Sequence, residues 1–290
     1  MDDLRLLRHF EAVYRLLSFS AAADELRLTH SALTKSIKQL ERGWDVQLFH
    51  RTTRTVTATE AGKKLYPKAV ELLGFASDVR TSVQSGEHVL NIVSGPAILE
   101  NMIPPAIEKF ARRFPKTRIN VTTMPPHLAV EELIQRRIHL MLYHRATLHS
   151  VAQVDRLRVS DICDEPYWML FRPGHPVTIA GELLEDVVEF DWAIAGFDEL
   201  FEKNLPENVQ ALLRDNGFPS YRLLSQAACV ELARTSDVVT AVPRSAAALL
   251  IKEGVMEGVP HPGAFNFSVS AAVLYDAGIE PTVEHFIDCL

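Results

Sequence analysis

Residues 18–41 read "SFSAAADELRLTHSALTKSIKQLE". Ser20 stands where a helix N-cap belongs, so a short alanine-rich helix is predicted from there to near Leu26. Thr29 is the next cap and opens a second helix that runs to about Glu41. Leu33, Ile37 and Leu40 form its buried stripe, and the helical period gathers His30, Ser31, Thr34, Lys35 and Lys38 on the opposite side. Ala21, Ala22 and Ala23 are small enough to let the two helices cross closely. Two short helices joined by a three-residue turn, the second with a polar outer face, describe a helix-turn-helix. Thr29, His30, Ser31 and Thr34 then lie at the end that approaches base edges, while Lys35 and Lys38 reach phosphates. The competing reading is a solvated face on a small helical domain.

The flanks decide between the two. Upstream, apolar residues at 4, 7, 10, 14 and 17 mark an amphipathic helix. Downstream, β-prone pieces at Val46–Phe49 and Thr55–Thr57 flank a basic turn, Arg51 to Arg54, which reads as a small two-stranded wing. Its arginines Arg51 and Arg54 would contact flanking phosphates or the minor groove. Together with Ser20 and the helix residues just named, they complete the candidate DNA-binding set. Thr59 and Glu60 open a long helix to about Ser85, bent by Pro67 in its second turn. Its apolar residues Leu65, Ala69, Leu72, Ala76, Val79 and Val83 alternate four and three apart, which is a dimerisation seam of the coiled-coil kind. "QSGEH" (84–88) ends this helix and marks the predicted boundary.

From Val89 the period changes to strand–helix–strand alternation, as in "VLNIVSG", "MIPPAIEKFARRFP" and "INVTTM", which predicts parallel βαβ units. It resumes with "YWMLF", "DWAIAG", "PENVQALLRDNG", "YRLLS", "AACVELARTS" and "VVTAVP", and "FSVSAAVLYD" with a last helix closes the chain. The predicted organisation is residues 1–58 as the DNA-binding domain, 59–88 as the linker helix and 89–290 as an α/β domain.

Charge follows the same division. The net charge is −7, yet residues 1–88 carry 13 Lys+Arg against 11 Asp+Glu, and 27–54 carry six basic residues against two acidic. A locally basic end on an acidic body suits a protein that offers only one end to a polyanion. No apolar run approaches the ~18 uncharged residues of a membrane span. "MDDLRLLRHFEAVYRLL" lacks the pattern of a secretory signal, so a cytoplasmic location is expected. Cys163, Cys229 and Cys289 have neither disulfide nor metal spacing and read as free thiols packed as small apolar groups. His127, His139, His144 and His149 are close in sequence, but no cysteine or carboxylate spacing supports them, so no metal is assigned. "GPAILE" lacks the glycine pattern and Lys-Ser/Thr of a phosphate loop, and there is no G-x-S-x-G elbow.

The stretch "SFSAAADELRLTHSALTKSIKQLERGWDVQLFHRTTRTVTATEAG" (18–62) resembles the DNA-binding segment of LysR-type transcriptional regulators. Their pattern is Ser-Phe-Ser/Thr-x-Ala-Ala, a Ser/Thr-capped recognition helix, Leu-Glu, Val-x-Leu-Phe-x-Arg and Thr-Glu-Ala-Gly. "LLRHFEAV", "MIPPAIEKFARRFPKTRINV", "FRPGHPV" and "SDVVTAVP" extend the resemblance along the chain in the family's order. The departures are His30-Ser31 where the family has Gln-Pro, Asp45 where it has Gly, and Ile138-His139 where it has Leu-Asp.

The resemblance implies an N-terminal winged helix-turn-helix, a long dimerisation helix and a two-subdomain α/β, periplasmic-binding-protein-like effector domain. Subdomain I would be 89–162 with 267–290, subdomain II 163–266, with crossovers near Asp161–Glu165 and Pro262–Phe267. It implies a homodimer or homotetramer on promoter DNA, RNA polymerase staying open as a further partner. It requires no cofactor beyond a small-molecule effector. Open parallel sheets bind ligands outside the carboxyl ends of their strands. That places the effector at Ser94, Gly95, Pro96, Ala97, His127, His144, Arg145, Gly196, Phe197, Ser225 and Gln226. With Arg145, His127, His144 and Gln226 as anion partners, the expected effector is small and apolar or aromatic, with one acidic group as an option. Two other classes compete: an α/β enzyme fused to a helix-turn-helix, for which no nucleophile, acid/base pair or cofactor motif is found, and a DNA-architectural protein without a ligand.

Overall fold

Phe10, Phe19, Leu33, Ile37, Leu40, Leu48 and Phe49 meet in one buried cluster, and the elements that carry them form the N-terminal unit. These are α1 (Leu4–Leu16), α2 (Phe19–Glu25), α3 (His30–Trp44), an antiparallel ribbon of β1 (Phe49–Arg51) and β2 (Val56–Ala58), and α4 (Glu60–Ser85). The computed structural model describes residues 4–51, 56–85, 88–179, 183–263, 265–275 and 280–290. The chain divides into two compact units, Met1–His88 with Ile134–Arg137 and Val89–Leu133 with Ile138–Leu290.

Backbone geometry fixes the corners of the first unit. Leu17 at φ 46, Arg27 at φ 54 and Asp45 at φ 53 are left-handed, one after each of the first three helices. Asp45 is the C-cap of α3, with its N–H directed at the Arg42 and Glu41 carbonyls. A short polar side chain tolerates that conformation better than most, so the turn forms without the family's glycine. The first wing strand lies two to three residues later than the propensities suggest and the second one residue later; Glu41 takes the Leu48 and Phe49 N–H groups at the start of β1. The long helix runs unbroken through Pro67.

The second unit runs β3 (Val89–Ser94), α5 (Pro96–Asn101), α6 (Ile103–Ala111), β4 (Arg118–Thr122), α7 (Pro126–Ile134), β5 (Leu140–His144) and α8 (Arg145–Ser150) into the long β6 (Leu157–Phe171). There follow α9 (Leu184–Val187), β7 (Asp191–Ala195), α10 (Glu199–Lys203), α11 (Glu207–Asp215), β8 (Tyr221–Leu223) and α12 (Gln226–Thr235). β9 (Val238–Pro243), α13 (Arg244–Lys252), β10 (Glu257–Pro260), β11 (Asn266–Leu274) and α14 (Pro281–Cys289) complete it. The strand order is β4-β3-β5-β11-β6-β9-β7-β8, with β10 also on β6. β3 pairs in parallel with β4 and β5, and β7 with β8 and β9, as the alternation predicts. β6, β10 and β11 pair antiparallel, so the sheet is mixed.

β6 joins two lobes. Its residues Leu157–Pro166 pair with β11, and Tyr167–Leu170 pair with β9. One lobe is filled by Leu90, Ile92, Phe110, Leu142, Val269 and Phe286, the other by Met169, Phe171, Trp192 and Val239. The first ten residues of β6, LRVSDICDEP, break polar–apolar alternation at Ser160-Asp161, Ile162-Cys163 and Asp164-Glu165, which hid this part of the strand in the sequence. Among the described residues no helix is long and apolar enough to cross a membrane.

Candidate functional site

The first unit presents one polar helix face. Thr29 caps α3 by accepting from the Ala32 N–H at 3.2 Å. Thr29, His30, Ser31, Lys35 and Lys38 are exposed, while Leu33, Ile37 and Leu40 are buried beneath them. Thr34 is half-buried and its hydroxyl has no partner among the described residues.

Ser20 is not the cap of α2. Ser18 accepts from the Ala21 N–H at 3.2 Å, and Ser20 lies exposed in the first helical turn. The left-handed Leu17 stops α1 at once, and starting α2 at Phe19 buries that ring in the core. Arg51 ends β1, but its side chain and all of Arg54 lie outside the described residues.

A carboxylate and a glycine hold the wing. Glu41 accepts from the Leu48 N–H at 2.9 Å and the Phe49 N–H at 3.3 Å. The Thr59 hydroxyl donates to the Gln47 carbonyl at 2.6 Å and accepts from the Gly62 N–H at 3.0 Å, which caps α4. A Cβ on Gly62 would lie 2.4 Å from the Leu48 carbonyl oxygen, so only glycine lets α4 start that close to the strand.

The long-helix seam divides. Leu65 and Ala69 pack into the core of their own unit, beside Tyr66 and Leu73, because α1 lies against the start of α4. Ala69 is buried there and Leu65 half-buried. Further along, Leu72, Phe75 and Val79 are exposed and Ala76 is half-buried. Phe75 was outside the predicted seam, and the side chain of Val83 lies outside the described residues.

The second unit contains a cavity of about 100 Å³. Of the predicted effector residues, Ala97, His144, Gly196, Phe197 and Gln226 line it. The others do not. Ser94 is fully buried with an unpartnered hydroxyl among the described residues, and His127 is exposed on α7. Gly95 and Pro96 serve the backbone: Gly95 is the N-cap of α5, and Pro96 lies where a Cβ on Gly196 would come 2.7 Å from its Cδ. Ser225 caps α12 by accepting from the Ala228 N–H. Arg145 pairs with Asp161 at 3.0 Å and Asp164 at 3.4 Å. It is thus an internal ion-pair partner rather than an anchor for an acid.

Much of the wall is aromatic, and of its rings only His144 and Phe197 were predicted. Ring centroids run His144–Phe201 4.7 Å, Phe201–Phe197 5.8 Å, Phe197–Phe218 5.7 Å, Phe218–Trp192 5.5 Å, Trp192–His261 5.6 Å and His261–Phe265 5.2 Å. His144 and Phe197 sit at predicted strand ends; Phe218, His261 and Phe265 come from loops with no periodic signal. The indole N–H of Trp192 donates to the Val187 carbonyl, so its ring offers the cavity an apolar face.

Burial sets the polar groups. Desolvation drives His261 down to about 4, opposed by the Gly263 backbone, and it also lowers His144. Nδ1 of His261 accepts from the Gly263 N–H at 3.0 Å, which puts the proton of the neutral ring on Nε2. His144 Nδ1 accepts from the Ala146 N–H, and its Nε2 donates to the Asn266 carbonyl. Burial raises the Tyr167 phenol well above its ordinary range, and the Cys229 thiol to about 11. No cluster of three His, Cys, Asp or Glu side chains suited to a metal occurs among the described residues.

A winged helix-turn-helix unit is followed along the chain by a two-lobed α/β unit that contains an aromatic-lined cavity. The chain belongs to the LysR family: residues 4–63 match the bacterial regulatory helix-turn-helix protein, lysR family, and residues 84–290 match the LysR substrate binding domain. It is similar to the SDS degradation transcriptional activation protein of Pseudomonas sp. (strain ATCC 19151), 29% identical over 181 residues, covering 61% of this chain and 58% of that protein. The chain thus spans little more than half the length of that curated relative. Its fold is similar to a full-length OxyR variant from Pseudomonas aeruginosa, with TM-score 0.61 and 18% identity over 100% of this chain and 94% of that one. It is also similar to full-length CbnR complexed with its target DNA, with TM-score 0.51 and 19% identity over 99% and 98% of the two chains.

Proposed function

We propose that the protein is an effector-responsive transcriptional regulator that binds promoter DNA in the cytoplasm as a homo-oligomer. One observation carries the reading: α3 buries Leu33, Ile37 and Leu40 and turns Thr29, His30, Ser31, Lys35 and Lys38 outward on one face. A face of hydroxyls, an imidazole and two ammonium groups suits the major groove, with the lysines on phosphates. The DNA complex of the similar CbnR supports the same partner. The aromatic-lined cavity and the match to the LysR substrate binding domain support a small-molecule effector. Any effect of that ligand on DNA binding requires it to bind two states of the protein with different affinity. An enzymatic reading finds no support in the named relatives, which are regulators.

The test is binding of the full chain to its own upstream intergenic DNA at ~0.1 M salt, where phosphate contacts remain visible. Sequence-selective binding that weakens when Lys35 and Arg51 are both changed to Ala is the expected result. A folded, oligomeric protein without selectivity would overturn it.

A further inference from the structure

The cavity's chemistry narrows its ligand, on the reading that the second unit is the sensor of a regulator. About 100 Å³ is the scale of one ring; a hydrocarbon-lined cavity of about 150 Å³ holds benzene. No lysine or arginine lines the wall, and its one carboxylate is Asp198. Asp198 is already engaged: it accepts from the Phe201 N–H at 2.8 Å and from the Thr147 hydroxyl at 3.1 Å. The place where an acid would dock is filled from within. Helix α12 begins at the cavity with Gln226, and the first amides of a helix attract anions. Those of Gln226 and Ala227 donate to the two carboxylate oxygens of Glu100, at 2.9 and 2.7 Å, and the Gln226 side chain is tied to Asn101. Left unpartnered among the described residues are the Tyr167 hydroxyl and the Nε2–H of His261, both on the wall. They suit a hydroxyl or carbonyl group on a ring held by the aromatic belt.

We propose that the cavity binds an uncharged, single-ring aromatic compound bearing a hydroxyl or carbonyl, and that Glu100 occupies the carboxylate position at the start of α12. The test compares benzyl alcohol, benzoate and benzylammonium, which share a ring and differ in charge, by calorimetric titration and thermal melting of the full chain. Benzyl alcohol is expected to bind at least about tenfold more tightly than either ion, a difference of ~1.4 kcal/mol, and to raise the melting temperature. Filling the cavity with Ala97→Phe, or independently with Ile194→Trp, should abolish that binding in a variant that still melts cooperatively. Glu100→Ala should release the α12 amides and raise benzoate affinity about tenfold, a change of ~1.4 kcal/mol.

Equal or tighter binding of benzoate by the unaltered chain would overturn the proposal in favour of an acidic ligand. Tighter benzylammonium would overturn it in favour of an organic cation on Asp198. Benzoate affinity unchanged by Glu100→Ala would overturn the role of Glu100. Failure of all three probes while selective DNA binding persists would overturn the proposal alone, whereas absence of selective DNA binding would overturn the regulator reading on which it rests.

Discussion

Gly62 shows what a single residue decides. Its missing Cβ leaves room for the Leu48 carbonyl, and Thr59 beside it joins the wing to the start of α4. Gly62→Ala is expected to cost ~1–3 kcal/mol, the range for forcing atoms into a packed site, read as a lower urea midpoint with an unchanged slope. Thr29→Ala removes a cap and should cost ~1 kcal/mol, with a fully folded protein at 25 °C as the check by circular dichroism. Thr29 was legible because a hydroxyl before an amphipathic run has one use. The cap of α2 was not: Ser18 and Ser20 are equivalent by spacing, and only the burial of Phe19 chooses between them.

At the scale of the element, α3 and α4 are both amphipathic but spend their apolar sides differently. α3 buries its whole stripe and leaves a polar face. Lys35→Ala combined with Lys38→Ala should lower the slope of log affinity against log salt by about 0.9 per lost phosphate contact, equally for specific and unrelated DNA. α4 gives Leu65 and Ala69 to its own unit and leaves Leu72, Phe75 and Val79 exposed. An exposed apolar stripe of that kind marks an interaction face. Leu72→Asp with Phe75→Asp is expected to shift the protein to a smaller species in sedimentation velocity without loss of helicity; an unchanged sedimentation coefficient would remove this stripe from the oligomer interface. The heptad spacing was visible in the sequence. Which of its residues stay exposed was not, because that depends on where α1 packs.

For the whole molecule, burial of imidazoles ties stability to pH. His261 titrates near 4 when folded and near its ordinary value when unfolded. The unfolded chain therefore binds more protons between those two values. The contribution is fully present above pH ~6.5 and is lost as the pH falls toward 4, an effect of ~3 kcal/mol. His144 is shifted in the same direction and adds to it. Urea unfolding at pH 7 and pH 4.5 should show the loss, and His261→Gln should flatten it. A His261→Gln variant as acid-sensitive as the parent would show that this imidazole is not the group responsible.

The sequence by itself determined the helix-turn-helix, the long helix, the α/β alternation and the basic end on an acidic body, because periodicity, capping residues and charge are properties of neighbours along the chain. It also placed Ala97, His144, Gly196, Phe197 and Gln226, since strand ends can be read from where a run of apolar residues stops. Only the tertiary structure decided that Arg145 is spent on Asp161 and Asp164, that Glu100 reaches the amides of α12, and that rings from β5, β7, α10 and three separate loops join into one belt. Those contacts join residues as much as 127 positions apart, and no local pattern records which distant partner a buried charge or ring will find.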